Sequence, residues 1–479
     1  MSNSRIRTVS AVALASLVLS GLPVAASADP GTQPGPGVDR GATVSGIGDP
    51  YWPLDGNGGI DVKHYDIHDR YDFDTGRLEG ATTVTLRATK SLPLFHLDLL
   101  LPVSSVLVDG QPASFGKPNK HELRIKPATA LAKGDVVDVV VEYGGKPSDY
   151  TYAGEGNWLA DGVEVVTMNE PHMAPWWFPS NDHPSDKATF DITVTGPKTH
   201  QVVSNGLLQS RTVSGDQATT HWSARDPMAT YLAFFALGRY RIAQGKTAGV
   251  PWYVAVSKQY RGASQRNAMR TLRKSGPITK WLSSQLGPYP FESTGGLITP
   301  LQAGFALENQ TRPTYGGFWN RETVVHELAH QWFGDSVSVK RWRDIWINEG
   351  FASFMEALYA EKHGGQKAQA WLLDAYSGLK GYRSFWRVDL TNPGKRKVFD
   401  QAVYTRGAMA LQALRHRIGH RDFMKILRTW VRENRNGNAS VREFRRLATE
   451  ISGERLGGFF KAWLQAPRAP KATKRNGLR

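Results

Sequence analysis

The chain has 479 residues, of which 40% are hydrophobic and 21% charged, and its formal net charge is +16. This composition is typical of a folded protein with two or three domains, and it excludes a low-complexity or wholly disordered chain. Because the chain has no cysteine, disulfide frameworks are excluded too, and any metal ion must be held by histidines and carboxylates.

The chain begins with the pattern of an export leader. Arg5 and Arg7 precede an apolar run over residues 9–22, and Ala26-Ser27-Ala28 has the small side chains of a signal-peptidase site. We therefore expect residues 1–28 to be a cleaved signal peptide and the protein to be secreted into the extracellular space. An N-terminal membrane anchor is the weaker alternative, because the run is too short to span ~30 Å of hydrocarbon.

A linker and an all-β domain follow the leader. Residues 29–46 are rich in Gly, Pro, Ser and Thr and have almost no aliphatic residues to bury, which indicates a linker. Over residues 47–241, short apolar and β-branched runs alternate with Gly, Asp, Asn and Pro turns. This alternation predicts an N-terminal all-β domain.

Helical spacing dominates the rest of the chain. Apolar residues recur with helical periodicity in several long segments, and a last short helix is expected before the tail: 265–286, 321–333, 349–362, 406–417 and 456–464. Residues 242–466 are therefore predicted to form a mainly helical second domain, so the fold class is α+β and multidomain. Residues 467–479 form a basic tail without aromatic residues, interpreted as a frayed end and not as a nucleic-acid site.

One motif in the helical domain predicts a catalytic metal site. In His326-Glu327-Leu328-Ala329-His330 the two histidines are four residues apart, which places both imidazoles on one helix face. Glu349, 19 positions after His330, starts another helical pattern and is the predicted third ligand. Two histidines and one carboxylate leave a coordination position open for water, as in catalytic sites that bind one Zn²⁺ ion.

Two further carboxylates belong to this predicted site. Glu327 is next to a ligand but points away from the histidine face, so it is predicted to be the general base that activates the attacking water. Glu356 is seven residues after Glu349, two helical turns along the same face. It is predicted to orient a ligating histidine, with a surface salt bridge as the alternative.

An ordered series of motifs resembles the aminopeptidase N family, the zinc exopeptidases related to leukotriene hydrolase. The motifs occur along most of the chain: Asp49-Pro-Tyr, Gly56-Asn-Gly-Gly, Phe178-Pro179, Asp182, Gly287-Pro-Tyr-Pro-Phe, Ala306-Leu-Glu-Asn309, the segment 326–354 and Tyr404-Thr-Arg-Gly407. The resemblance implies a saddle-like β-domain followed by a thermolysin-like zinc peptidase domain, with the active site between them.

The resemblance also implies how a substrate is held. The family's motif Gly-x-Met-Glu-Asn aligns with residues 305–309, where Glu308 keeps the carboxylate that binds a free α-amine, between Ala306 and Asn309. Phe305 and Leu307 replace the motif's Gly and Met, so the shape of the first side-chain pocket is left open. Glu170, nine residues before Pro179, matches a second amine anchor.

The resemblance also implies an oxyanion donor, and the chain departs from the family in one further, larger respect. Tyr404 matches the family tyrosine that donates to the developing oxyanion. Many relatives continue into a long C-terminal helical domain, whereas this chain ends about 15 residues after Trp463-Leu464. We therefore expect a short family member that lacks this domain and has a more open cleft.

The leading hypothesis is a secreted aminopeptidase acting on peptides with a free N-terminus. An endopeptidase of the thermolysin type and a non-catalytic module that binds the cell wall remain alternatives. Removal of Arg5 and Arg7 with the leader would leave a net charge of +14, which would favour association with an anionic cell surface. The oligomeric state is not predicted.

Overall fold

The computed structural model describes residues 45–479; the predicted leader and nearly all of the predicted linker lie outside the described residues. The strands of the first region are β1 (Ile60–Asp72), β2 (Arg77–Ala88), β3 (Phe95–Asp98), β4 (Val103–Val108), β5 (Gln111–Pro112), β6 (Ser114–Gly116), β7 (Glu122–Lys126), β8 (Val136–Gly145), β9 (Leu159–Ala160), β10 (Val165–Val166), β11 (Lys187–Pro197), β12 (Gln201–Ser204), β13 (Leu207–Ser214), β14 (Gln217–Ala229) and β15 (Phe235–Gly238).

Alternation of apolar and polar residues explains the largest sheet. Along β1, Tyr65 and Ile67 are buried while the intervening residues face outward or are half-exposed, as expected for a strand with one face on a core. The eight strands are ordered β13-β14-β11-β1-β2-β8-β4-β5. Only β1 and β11 pair in parallel; the other neighbours in this sheet are antiparallel.

Two smaller sheets complete the first region, ordered β12-β15-β10-β9 and β3-β7-β6. Together with the helical region described next, these sheets confirm the predicted α+β fold class with an N-terminal β-domain.

The second region opens with a sheet and continues as helices. Its elements are β16 (Tyr240–Thr247), β17 (Val250–Ser257), α1 (Gly262–Leu272), α2 (Ser275–Leu286), β18 (Thr294–Thr299), β19 (Ala306–Leu307), β20 (Thr314–Gly316), α3 (Arg321–His330), β21 (Val337–Val339), α4 (Trp346–Lys362), α5 (Ala368–Leu379), α6 (Arg383–Trp386), α7 (Gln401–Ile418), α8 (His420–Glu433), β22 (Gly437–Ala439), α9 (Val441–Ser452) and α10 (Gly457–Phe460).

Three details differ from the predicted elements. The pattern over 265–286 is two helices, because the chain turns at Arg273 and Lys274 between α1 and α2. The second region also contains a five-stranded sheet ordered β16-β17-β18-β20-β19, in addition to the predicted helices. The predicted domain boundary, at 241/242, falls inside β16, the first strand of that sheet.

The basic tail is packed, so its interpretation as a frayed end is wrong. The carbonyl of Asn476 accepts a hydrogen bond from Nε1 of Trp463 (3.0 Å), and Tyr376 donates its hydroxyl to the carbonyl of Pro470 (2.6 Å). Leu478 is buried. The tail backbone thus satisfies buried donors on other elements, which a composition rich in Lys and Arg does not reveal.

The two regions share buried contacts. Nζ of Lys187, on β11, donates to the carbonyl of Asp335 (2.6 Å), and the amide of Trp342 donates to Oδ2 of Asp49 (3.1 Å). Arg312 is fully buried and donates to the carbonyls of Gly206, Tyr253 and Thr294, all within 2.9 Å. Within residues 45–479, no helix is both long and apolar enough to cross a bilayer.

Candidate active site

Helix α3 brings the two histidines of the predicted metal site together. Its N-cap, Asn320, accepts a hydrogen bond from the amide of Thr323 (2.7 Å), which fixes where the helix begins. His326 and His330 lie one turn apart with ring centroids 4.7 Å from each other. Nε2 of each ring faces the same carboxylate oxygen, Oε2 of Glu349, at 3.2 Å and 3.3 Å.

Glu349 reaches this point from the first turn of α4, and it is 3% exposed. Burial alone would raise the pKa of Glu349, but the nearby charge of His330 and hydrogen bonds with both histidines lower the pKa to about 2. The three residues thus present one carboxylate and two imidazole nitrogens whose ligand atoms lie within 4.8 Å of one another.

The other nitrogen of each ring is held by the protein. Nδ1 of His326 lies 2.7 Å from Oε1 of Glu356, and Nδ1 of His330 lies 2.9 Å from the carbonyl of Phe333. A proton on each Nδ1 leaves both Nε2 lone pairs free for a metal. This donor set, with its outer hydrogen bonds, fits a catalytic zinc ion. Glu356 lies where the sequence predicted it.

Glu327 is beside the three ligands and is 4% exposed. Burial raises the pKa of Glu327 to about 8, even though the charges of His326 and His330 oppose the shift. A carboxylate oxygen of Glu327 lies within 4.8 Å of ligand atoms of both Glu308 and His330.

Glu308 and Glu170 belong to one cluster of carboxylates, in which Glu308 is buried and Glu170 is half-buried. Glu308 is 2% exposed and follows the short strand β19. Burial raises the pKa of both groups, and the charge of Glu349 adds to the rise in each. Oε1 of Glu170 is buried and has no hydrogen-bond partner among the described residues. A cation that entered this cluster would therefore favour the ionised form of both carboxylates.

Ala306 and Asn309 flank this anchor. Ala306 is half-buried and pairs with Tyr315 at the edge of the five-stranded sheet. Asn309 is fully buried, and its Nδ2 donates to the carbonyl of Leu232 (3.1 Å). That hydrogen bond fixes the segment that carries Glu308 against the first region.

Tyr404 approaches the metal ligands from α7. Its ring stacks on that of His326 with centroids 6.1 Å apart and planes 24° from parallel. Burial, followed by the charge of Glu349, raises the pKa of Tyr404 well above 10. The phenol therefore keeps its proton at neutral pH and is available as a hydrogen-bond donor.

Close backbone packing sets the position of α7. A Cβ atom added to Gly350 would lie 2.9 Å from Cα of Gly407, and one added to Gly407 would lie 2.8 Å from Cα of Gly350. These distances are shorter than real Cβ contacts, so glycine on both helices allows α4 and α7 to touch. The contact brings Tyr404 and Glu349 to one site.

Three residues of the site were not predicted from the sequence. The hydroxyl of Tyr231 donates to Oε1 of Glu308 (3.3 Å). Nε2 of Gln331 donates to the carbonyl of Glu308 (3.0 Å) and to Oδ2 of Asp335 (2.7 Å). Gln331 directly follows the predicted metal motif, but its residue type alone does not indicate that it contacts Glu308.

The β-rich region, the helical region and the His–His–Glu cluster together are typical of the metallopeptidase class. Two family models match: the Peptidase M1 N-terminal domain over residues 62–232 and the Peptidase family M1 domain over residues 292–463. The chain belongs to peptidase family M1. This membership confirms the resemblance to aminopeptidase N and indicates one catalytic zinc ion.

Two similar proteins support the same family. Tricorn protease-interacting factor F2 of Thermoplasma acidophilum is 25% identical over 434 residues, covering 85% of this chain and 54% of its own. Aminopeptidase N of Lactococcus lactis is 26% identical over 450 residues, covering 86% and 51%. The chain thus spans about half the length of these relatives.

A solved structure matches over nearly its whole length. It is a mutant of the M1 zinc metallopeptidase of Deinococcus radiodurans bound to a Tyr-Ser-Ala substrate. It is 27% identical to this chain with a TM-score of 0.79, and the match covers 89% of this chain and 98% of that one. The likeness therefore extends over both regions.

Proposed function

We propose that this protein is a zinc aminopeptidase that hydrolyses the first peptide bond of peptides with a free N-terminus. The observation that carries the proposal is the position of two carboxylates beside the residues that would hold zinc: Glu308, which is buried, and Glu170, whose Oε1 is buried. A buried anion next to the reacting centre favours a substrate whose α-ammonium ends there. A peptide bond in mid-chain cannot supply that charge.

His326, His330 and Glu349 would hold the zinc ion, which when bound supplies Lewis acidity toward the scissile carbonyl and lowers the pKa of a water molecule. Glu327 takes a proton from the attacking water and returns it to the departing amine. Burial raises the pKa of Glu327 while the charges of His326 and His330 oppose the rise, and a bound zinc ion would act in the same direction as the histidine charges, favouring the carboxylate form that accepts the proton.

The remaining residues bind charge and position the substrate. Tyr404, protonated at neutral pH, donates a hydrogen bond to the oxygen that becomes negative as the carbonyl is attacked. Glu308 accepts hydrogen bonds from the α-ammonium while Tyr231 holds its carboxylate in place. Glu170 supplies a second acceptor whose buried oxygen has no partner of its own among the described residues.

The test is cleavage of a matched peptide pair, one with a free N-terminus and one N-acetylated, with and without a zinc chelator. We expect single residues to be released from the free peptide only, and the chelator to abolish release. Glu327→Gln should retain zinc and lose activity by about 10²–10⁴-fold. Equal cleavage of both peptides at internal bonds would establish an endopeptidase, and inactivity with zinc bound would establish a binding module.

We also propose that the protein is exported and that residues 1–28 are removed. The apolar run over residues 9–22 and Ala26-Ser27-Ala28 support this, and the charge of +14 that would remain favours an anionic cell surface. N-terminal sequencing of protein from culture medium and from a salt wash of cells tests it. A mature N-terminus at Asp29 is expected, and an intact Met1 in cell lysate alone would contradict export.

A further inference from the structure

A second cluster of metal-ligating side chains lies buried in the β-rich region. Asp98, the last residue of β3, pairs across the sheet with Glu122, the first residue of β7. His121 directly precedes Glu122. One ligand atom from each of these three residues lies within 4.8 Å of the other two. The side chain of His121 is 2% exposed, and both carboxylates are fully buried.

The distances in this cluster fit a shared cation. Nδ1 of His121 lies 3.6 Å from Oδ1 of Asp98 and 3.5 Å from Oε1 of Glu122. Both separations exceed that of a good hydrogen bond. They match the edge of a ligand tetrahedron around a metal, about 3.4 Å for bonds of about 2.1 Å.

Two of the three side chains, His121 and Glu122, have no side-chain hydrogen bond to any described residue. Neither ring nitrogen of His121 and neither carboxylate oxygen of Glu122 has a hydrogen-bond partner among the described residues. Buried polar groups in folded proteins are otherwise almost always paired, because leaving them unpaired costs free energy. A bound cation would satisfy both residues at once.

The surroundings hold Asp98 and His121 as outer residues hold metal ligands. Asp98 accepts hydrogen bonds from Nδ2 of Asn57 (2.9 Å) and from the amides of Gly56 (3.0 Å) and Asp182 (2.7 Å). Tyr152 stacks on the ring of His121 with centroids 3.9 Å apart. Fixed orientation of this kind is what a metal site needs.

A neighbouring ammonium group does not occupy the position of a cation. The charge of Lys117 acts on Glu122, but its Nζ donates to the carbonyls of Leu99 and Leu101 and not to the carboxylates. The negative charge of the cluster is therefore left without a direct ion pair from lysine.

We propose that Asp98, His121 and Glu122 bind a second divalent cation, of the zinc or manganese class, with a structural role. Two carboxylates and one imidazole suit these ions better than Ca²⁺ or Mg²⁺, which prefer oxygen ligands alone. The cation would tie β3 to β7 and, through Asp98, to the loops that carry Gly56 and Asp182. Asp182 accepts a hydrogen bond from Thr230 (2.6 Å), the residue before Tyr231, so the site also supports the segment that holds Glu308.

The first test counts metal ions. Purified protein is stripped with a chelator, dialysed against zinc or manganese, freed of excess metal and analysed by mass spectrometry. We expect two equivalents in the wild type, one in Glu122→Gln, one in the double variant His326→Ala/His330→Ala, and none when all three changes are combined. Glu142→Gln, which changes an exposed carboxylate on β8, should keep two. One equivalent in the wild type would overturn the proposal.

A second measurement does not depend on whether Glu122→Gln folds. In His326→Ala/His330→Ala, which lacks the catalytic ligand pair, adding manganese or zinc should raise the Tm by about 5 °C, since a ligand that binds only the folded state stabilises it. No shift with either metal would contradict the second site. Neither measurement uses peptide cleavage, so failure of the second metal site can be distinguished from failure of the proposed aminopeptidase activity.

Discussion

At the scale of single residues, the site is defined by carboxylates crowded into a buried space. The charges of neighbouring glutamates raise the pKa values of Glu170 and Glu327; the interacting residues are Glu170, Glu308, Glu327 and Glu349. Ionising carboxylates that lie so close together costs free energy unless a cation binds among them. The proposed function supplies two cations: the metal held by His326, His330 and Glu349, and the α-ammonium of a peptide. The arrangement is therefore less stable empty than loaded, as expected of a binding site.

Tyr404→Phe tests the oxyanion donor. Removing one hydroxyl deletes a hydrogen bond made only in the transition state, so kcat should fall by about 10²–10³-fold while KM changes by less than about threefold. Steady-state kinetics on a free peptide measure both constants. Tyr382→Phe, at a tyrosine that is 63% exposed, is the matched control. A kcat for Tyr404→Phe within a factor of two of the control would rule out the role.

Much of this site could be predicted from residue spacing, but the contacts between residues far apart in the sequence could not. The interval from His326 to His330 and the later Glu349 could be predicted because helical periodicity brings such residues to one face. Glu170 and Glu308 needed the family resemblance, since an isolated glutamate gives no sign of its burial. Tyr231 could not be found in this way, because its contact with Glu308 is made across 77 residues.

At the scale of elements, the contact between α4 and α7 decides where the catalytic groups lie. Gly350 follows the ligand Glu349, and Gly407 is three residues after Tyr404. Because neither glycine has room for a Cβ, the helices approach more closely than ordinary side chains permit. Arg406 fixes the far side of α7 by donating to the carbonyls of Trp386, Val388 and Trp463.

Gly407→Ala tests this packing. The added methyl group must push α7 from α4, so we expect a loss of about 1–3 kcal/mol of stability, with weaker zinc retention and lower kcat. Gly378→Ala is the control, because its Cβ would meet nothing within 4 Å and alanine favours a helix by up to about 1 kcal/mol. Urea unfolding and metal analysis measure the effects. Equal stability of the two variants would contradict the account of the helix contact.

A second contact between these helices predicts a dependence on pH. Glu361 of α4 is held by two guanidinium nitrogens of Arg415 of α7, at 2.7 Å and 3.2 Å. The hydrogen bond with Arg415 lowers the pKa of Glu361 to about 2, with burial opposing the shift. Because the folded pKa is below the unfolded value, the stabilisation is present above about pH 4.5 and is lost as the pH falls toward 2.

Glu361→Gln should therefore destabilise the protein by about 2 kcal/mol at neutral pH, and the difference from wild type should shrink on acidification below about pH 4.5. Urea unfolding at several pH values measures the difference. Glu433→Gln, which removes an exposed pairing with Arg432, should change stability little at any pH. A difference for Glu361→Gln that is constant down to about pH 3 would contradict the assigned pairing.

At the scale of the whole molecule, the order of β-rich and helical regions was evident from the change in hydrophobic period. The five-stranded sheet was not, because β19 and β20 have only two and three residues, too few for a period to be seen. The packed tail was also missed. The tail is held by hydrogen bonds from the side chains of Trp463 and Tyr376 to its backbone carbonyls. Backbone acceptors are present in every segment, so the amino-acid composition of the tail does not reveal these bonds.

The junction of the two regions positions the substrate anchors. Glu170 belongs to the β-rich region and Glu308 to the helical one, and both face the zinc ligands only if the regions stay in contact. Arg312 provides part of that contact, donating to Gly206 on one side and to Thr294 on the other. Selection of a free N-terminus is therefore proposed to be a property of both regions together.

The most direct test is the ratio of kcat/KM for a free peptide and its N-acetylated counterpart, measured in wild type, Glu308→Gln and the control Glu142→Gln. The account predicts strong preference for the free peptide in wild type and control. In Glu308→Gln the ratio should be about 10- to 100-fold lower with zinc content unchanged, since a charged hydrogen bond of about 1.5–3 kcal/mol is lost. An unchanged ratio in Glu308→Gln would contradict the central claim that this buried carboxylate selects the α-ammonium.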